Sequence, residues 1–224
     1  MLKIPLICFI IWWTLLQNFF RIVKSQAPLF QPQRRILHTA TYINNILYIF
    51  GGESISTSPT INEVALNEFF YLDCSKPFIT TNLPWQYLPN TGAPSRWSAA
   101  SARGGVNNNT LFLYGGFSSP ENETGLVYTY DTQSGLWNIL NVKEDNDTRK
   151  RSLEAVSDYN GQMYLFGGSS DKLNVSNDMV ILDTINLIWK TGSLDNAPSA
   201  RFYYGATLLP NQNIIYFGTF ILII

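Results

Sequence analysis

Three stretches of the chain repeat one pattern, an apolar strand ending in a glycine pair: Tyr48-Ile49-Phe50-Gly51-Gly52, Phe112-Leu113-Tyr114-Gly115-Gly116 and Tyr164-Leu165-Phe166-Gly167-Gly168. A fourth copy begins at Ile215-Tyr216-Phe217-Gly218. Each full copy is followed by an apolar run ending in Asp and then by a Trp: Asp73 with Trp85, Asp131 with Trp137, and Asp183 with Trp189. From Trp85 to Trp137 and from Trp137 to Trp189 the interval is 52 residues. A fixed period of this length means one supersecondary unit used repeatedly, each unit burying a face that its neighbour supplies.

Within a unit an Arg-led segment comes first, as in Arg96-Trp97-Ser98-Ala99-Ala100 and Arg201-Phe202-Tyr203-Tyr204-Gly205-Ala206. An Asn- or Gly-rich turn follows (Asn44-Asn45, Asn107-Asn108-Asn109, Asn160-Gly161, Asn211-Gln212-Asn213) and leads into the glycine-ended strand. Asn and Gly tolerate positive φ and so close hairpins. A polar loop leads to the Asp-ended strand, and a second turn delivers the Trp on a last strand. The expected unit is therefore one four-stranded antiparallel sheet. Strands such as Leu47-Tyr48-Ile49-Phe50 and Met179-Val180-Ile181-Leu182 are apolar at successive positions, and a strand of that kind is covered on both faces. Radially stacked blades meet this need, with the Trp filling the space between them.

This order of Arg, apolar-Gly-Gly, aromatic-x-x-Asp and Trp resembles the kelch repeat, whose fold is a β-propeller. The resemblance runs from residue 34 to 218, with repeats at about 34–88, 94–140, 149–191 and 199–218. It implies an all-β chain of about three and a half four-stranded blades. Two departures stand out. The first repeat carries 33 residues from Gly52 to Trp85, against 21 from Gly116 to Trp137. In the third repeat the Arg position is ambiguous between Arg149 and Arg151, and Glu154 stands where small residues occur elsewhere.

A propeller closes with about 4–8 blades, so an incomplete propeller is expected, ending in the apolar tail 219–224. Three explanations are open: a truncated product, two chains pairing into one ring, or an open, marginal fold.

Residues 1–27 lie outside the repeat. Lys3 precedes an uncharged run from Ile4 to Phe20, followed by Arg21, Lys24 and Ser25-Gln26-Ala27. This matches a secretory signal cleaved near Ser25 or Ala27, with an uncleaved anchor as the alternative. Four sequons, at Asn108, Asn122, Asn146 and Asn174, fall in expected loops and agree with an exported glycoprotein. The remaining Cys74 then has three readings: a buried thiol, an intermolecular bond, or a partner that the chain does not contain. Charged residues make up only 14%, below the roughly 25% usual for soluble domains, and no basic stripe suggests nucleic acid.

Kelch propellers include the central domain of galactose oxidase, and that resemblance implies a copper site with two His and two Tyr ligands. The chain has one His, His38, and imidazole is the preferred nitrogen ligand for copper. We expect no catalytic residues, metal or cofactor, and His38 is read as a core or channel-lining side chain. Asp73, Asp131 and Asp183 recur with the repeat and are read as turn caps. Arg35, Arg96 and Arg201 begin the innermost strands near one mouth of the channel. Either they bond loop carbonyls, or they form a cationic ring for an acidic ligand. The expected function is a secreted or extracellular binding module for an unknown protein or glycan, with membrane attachment only if the N-terminal segment is retained. A non-catalytic relative or fragment of a galactose oxidase-like enzyme is the alternative. The less glycosylated face and the long loop Glu53 to Asn67 are where a partner is expected.

Overall fold

A computed structural model describes residues 30–55, 65–118, 125–142, 149–170 and 174–218. The signal-like segment, Asn122, Asn146, the centre of the long first-repeat loop and the apolar tail lie outside the described residues. Contacts divide the chain into Met1–Phe30 and Gln31–Ile224, and every described strand belongs to the second unit.

The described residues form three four-stranded antiparallel sheets and a two-stranded fourth. Blade 1 contains β2 (Thr39–Ile43), β3 (Ile46–Phe50), β5 (Phe69–Asp73) and β6 (Gln86–Tyr87), in that order. A small side pair, β1 (Arg35–Ile36) with β4 (Glu53–Ser54), stands at its entry. Blade 2 contains β7 (Ala100–Gly104), β8 (Thr110–Tyr114), β9 (Val127–Asp131) and β10 (Leu136–Leu140). Blade 3 contains β11 (Ala155–Ser157), β12 (Gln162–Phe166), β13 (Met179–Asp183) and β14 (Ile188–Thr191). The fourth sheet has β15 (Gly205–Leu208) and β16 (Ile214–Phe217). Six of the twelve residues added to the first repeat follow Asp73, where the segment before β6 carries an Ile79↔Asn82 bridge.

The doubly apolar strands sit between neighbours. Along β8, Leu111 and Leu113 belong to a core shared with Ile43, Phe50 and Phe69 of blade 1, whereas Phe112 and Tyr114 belong to one shared with Met163 and Leu165 of blade 3. Successive side chains of a strand point to opposite faces, so each residue serves one interface. The tryptophans close these interfaces. Trp137 of β10 packs on Phe50 at 4.8 Å and Phe69 at 5.2 Å across the gap, and Trp189 of β14 packs edge-on against Tyr114 at 5.8 Å. Trp85 occupies the same place in its repeat but packs on Phe70 of its own sheet at 5.2 Å.

The glycine pairs are backbone joints. The first glycine of each full pair has positive φ, +64° at Gly51, +68° at Gly115 and +63° at Gly167. The second donates its N–H to a carbonyl of the following repeat: Gly52 to Arg96 O (2.8 Å), Gly116 to Lys150 O (2.9 Å) and Gly168 to Arg201 O (2.9 Å). Around the inner rim a second series of bonds links one residue per blade. Ser98 N–H donates to Leu37 O (2.9 Å), Ser152 N–H to Ser98 O (2.8 Å), and Tyr203 N–H to Ser152 O (2.8 Å). All four residues have positive φ, between 50° and 58°.

Candidate functional site

These joints identify the third-repeat counterpart of Arg96 and Arg201. It is Lys150, neither Arg149 nor Arg151. Lys150 supplies the carbonyl that meets the previous glycine pair, and it stands two residues before the positive-φ Ser152, as Arg96 stands before Ser98 and Arg201 before Tyr203. Backbone register, which residue letters do not carry, decides the position.

The cations at these positions bind within the scaffold. Arg35 donates to Gly51 O at 2.9 Å and pairs with the Glu68 carboxylate, with its guanidinium over Phe70 at 4.8 Å. Arg96, only 1% exposed, donates to Gly125 O at 2.9 Å and to the Tyr128 hydroxyl at 3.1 Å. Lys150 pairs with Asp178 at 2.6 Å. In each of the three full blades the cation therefore ties the entry of the inner strand to the approach or start of the third strand. Arg201, in the two-stranded sheet, donates to Ser199 O at 3.1 Å and lies 5.9 Å from the Tyr216 ring. The flanking arginines serve other contacts: Arg149 donates to Gly125 O, and Arg151 lies 3.8 Å from the Phe117 ring.

The three repeat-linked aspartates hold turns. Asp73 accepts from Ser75 N–H (3.0 Å), Asp131 from Gln133 N–H (2.7 Å) and Ser134 N–H (3.1 Å), and Asp183 from Ile185 and Asn186 N–H groups (3.1 and 2.9 Å). Hydrogen bonds from the Ser75 hydroxyl, Lys76 and Ser75 N–H hold the Asp73 carboxyl down at about 2. Burial pushes the Asp183 carboxyl up, but bonds from Asn186, Gln162 and Lys190 outweigh it and leave a net lowering.

Cys74 is exposed, which corrects the buried-thiol reading. It lies in the turn just after β5, where its N–H donates to Asn45 O at 2.8 Å, so its place is set by a surface hairpin. Asn174 is exposed and Asn108 partly buried, and both lie in loops or turns outside the strands. Among the described residues no three His, Cys, Asp or Glu side chains gather as a metal-binding group.

Among the described residues, a groove lies between the inner strands β2, β7, β11 and β15. One cavity of about 280 Å³ is lined by residues including Tyr42, Arg103, Glu154 and Tyr159. A second, of about 120 Å³, is lined by His38, Glu154, Tyr203 and Tyr204 among others. His38 is thus channel-lining; burial lowers its pKa, helped by the nearby Arg35 charge. Glu154 is the one residue that lines both cavities. Its unusual place was visible in the sequence, whereas Arg103, Tyr42 and Tyr159 gave no signal because their convergence depends on how the blades stack.

Glu154 is exposed as a residue, yet desolvation of its carboxyl by the groove walls pushes it up from 4.5 to about 7. A raised acid binds its proton more tightly in the folded state, so its stabilising contribution is complete below pH 4.5 and is lost as pH rises through 7. Relative to wild type, Glu154→Gln should gain about 1 kcal/mol at pH 8 after allowance for solvent screening, and little at pH 4.5. Urea denaturation of both proteins at the two pH values checks this; parallel pH profiles would refute it.

Comparison with known proteins now identifies the scaffold. The KLHDC2/KLHL20/DRC7 Kelch-repeats domain matches residues 37–220. Kelch domain-containing protein 3 of Homo sapiens is 24% identical over 168 residues, covering 71% of this chain and 41% of its own length. Its Rattus norvegicus counterpart is 25% identical over 195 residues, covering 83% and 48%. Kelch domain-containing protein 1 of Homo sapiens is 38% identical over 72 residues, or 30% of this chain and 18% of its own length. With its repeated blades and joints, this chain belongs to the kelch-repeat family. It spans less than half the length of these relatives.

Proposed function

We propose that the chain is a non-catalytic binding module for a protein partner, secreted and N-glycosylated at Asn108, Asn122, Asn146 and Asn174. The observation that carries this reading is how the repeat-linked polar groups are used. Arg35, Arg96, Lys150 and the three turn aspartates bind within the scaffold, so the groove and the loops remain as recognition surfaces. The signal-like N-terminal segment and the sequons support the exported setting.

Expression from a secretory host tests the setting. The expected product is found in the medium and loses mass on enzymatic deglycosylation; a cytosolic, unmodified product would sink that part. Affinity capture from extracellular fluid, followed by reconstitution with the purified candidate, tests binding. Replacing the groove rim residues Tyr42 and Tyr159, 50% and 70% exposed, with Ser should weaken a groove-bound partner at least tenfold. The same exposed aromatics favour a glycan ligand as the second reading, and a glycan array distinguishes the two.

A further inference from the structure

We propose that the groove binds a cationic side chain, a lysine ammonium or an arginine guanidinium presented by a peptide, with Glu154 as its counter-charge. This deepens the binding-module reading and rests on it. The argument begins with the position. At the same place in the other repeats stand Thr39, Ala100 and Gly205, so only the third blade sends a charge from this point. The inner strands around it bring small side chains, Ala102, Ser101, Ser157 and Ala206, which leave room for a ligand group.

Nothing among the described residues satisfies the carboxylate. Glu154 makes no described ion pair or side-chain hydrogen bond, and burial is the single cause of its perturbation. Glu154 is exposed to the groove, so its carboxylate is open to a ligand, and a cation seated between it and the groove's aromatic faces gains a direct charge contact. The charged and titratable neighbours do not supply one. Arg103 lines the same cavity but stands three repeat positions further along its strand, about 10 Å at roughly 3.3 Å per residue. Its guanidinium lies 5.9 Å from the Tyr159 ring. His38 faces the smaller cavity with its pKa lowered, and so is neutral at neutral pH. The remaining titratable neighbours are tyrosines: Tyr42 and Tyr159 along the larger cavity, Tyr203 and Tyr204 along the smaller. Aromatic faces near a carboxylate suit an ammonium or guanidinium, whereas an anion would meet Glu154 itself.

A bound cation favours the ionised carboxylate, so binding follows the ionised fraction. For a group titrating near 7, that fraction rises about tenfold from pH 6 to pH 8, and the apparent affinity rises with it.

The test is isothermal titration of the full chain with two capped tripeptides, Gly-Lys-Gly and Gly-Gln-Gly, at pH 6 and pH 8. The lysine peptide should bind about tenfold more tightly at pH 8, and the glutamine peptide should not bind. Glu154→Gln, which should fold at least as stably as wild type, should lose at least tenfold at pH 8 and lose the pH dependence. Asp195→Asn, the same charge change in an exposed loop, should behave as wild type. The inference is overturned if neither peptide binds, if both bind equally, or if Glu154→Gln binds as wild type. If a reconstituted protein partner still binds while Glu154→Gln changes nothing, this inference fails and the binding-module reading stands.

Discussion

Gly115→Ala should destabilise the protein by about 4 kcal/mol, a large share of a typical domain's stability. At φ +68° a side chain is already strained, by roughly 1 kcal/mol. The larger effect is steric. A Cβ on Gly115 would overlap the Lys150 carbonyl oxygen, and that oxygen is the acceptor for Gly116 N–H at 2.9 Å. The obstacle is backbone, fixed at both ends by blades 2 and 3, so it cannot swing aside as a flexible side chain would. Relief requires the blades to part, at the expense of the joint and of the packing beneath it. Gly135→Ala is the matched control. Gly135 also has positive φ, +72°, but its nearest neighbour is the Tyr130 hydroxyl at 3.9 Å, so only the backbone strain of roughly 1 kcal/mol should appear. Urea unfolding of the two variants measures the difference. Equal destabilisation would mean that the glycine pairs are turn residues only and that the inter-blade joint contributes nothing.

Such joints explain what the sequence made legible. The 52-residue period, the glycine pair and the doubly apolar strands each state a need that only a neighbouring blade can meet, so the blade architecture could be read from letters alone. Lys150 could not be read in the same way. Arg149 and Arg151 both offer the expected letter, and the true register is set by the positive φ of Ser152. Its counterparts Leu37, Ser98 and Tyr203 share no chemistry that would flag that conformation. The Arg35–Glu68 pair spans 33 residues, including the enlarged first-repeat loop, and was equally hidden. Cys74 was misplaced for a related reason: exposure at the end of β5 is a property of the hairpin, whereas residue type favours burial. The groove lies at the far limit of legibility. Glu154 is visibly out of pattern, but its place in the groove depends on four inner strands that are distant in sequence.

Trp137→Ala should cost about 3–5 kcal/mol, and the loss should be read at the first interface rather than within blade 2. The indole is 7% exposed. It meets Phe50 and Phe69 of blade 1 with ring centroids 4.8 and 5.2 Å away, and Tyr130 of its own sheet at 5.6 Å. Truncation leaves a cavity between two β-sheets whose inner strands are also held by the Thr41–Ser101 hydroxyl contact at 2.5 Å and the Gly52–Arg96 joint. Such a site collapses poorly, which puts the cost toward the upper part of the range. Trp137→Phe is the informative companion. The indole N–H is buried with no hydrogen-bond partner among the described residues, so phenylalanine removes an unsatisfied donor while keeping an aromatic face, and should cost less than about 2 kcal/mol. Hydrogen exchange locates the effect: in Trp137→Ala the amides of β3 and β5 should lose protection more than those of β12 and β13. Uniform loss across the three blades would show that the propeller segment unfolds as one unit and that the interfaces are not separable.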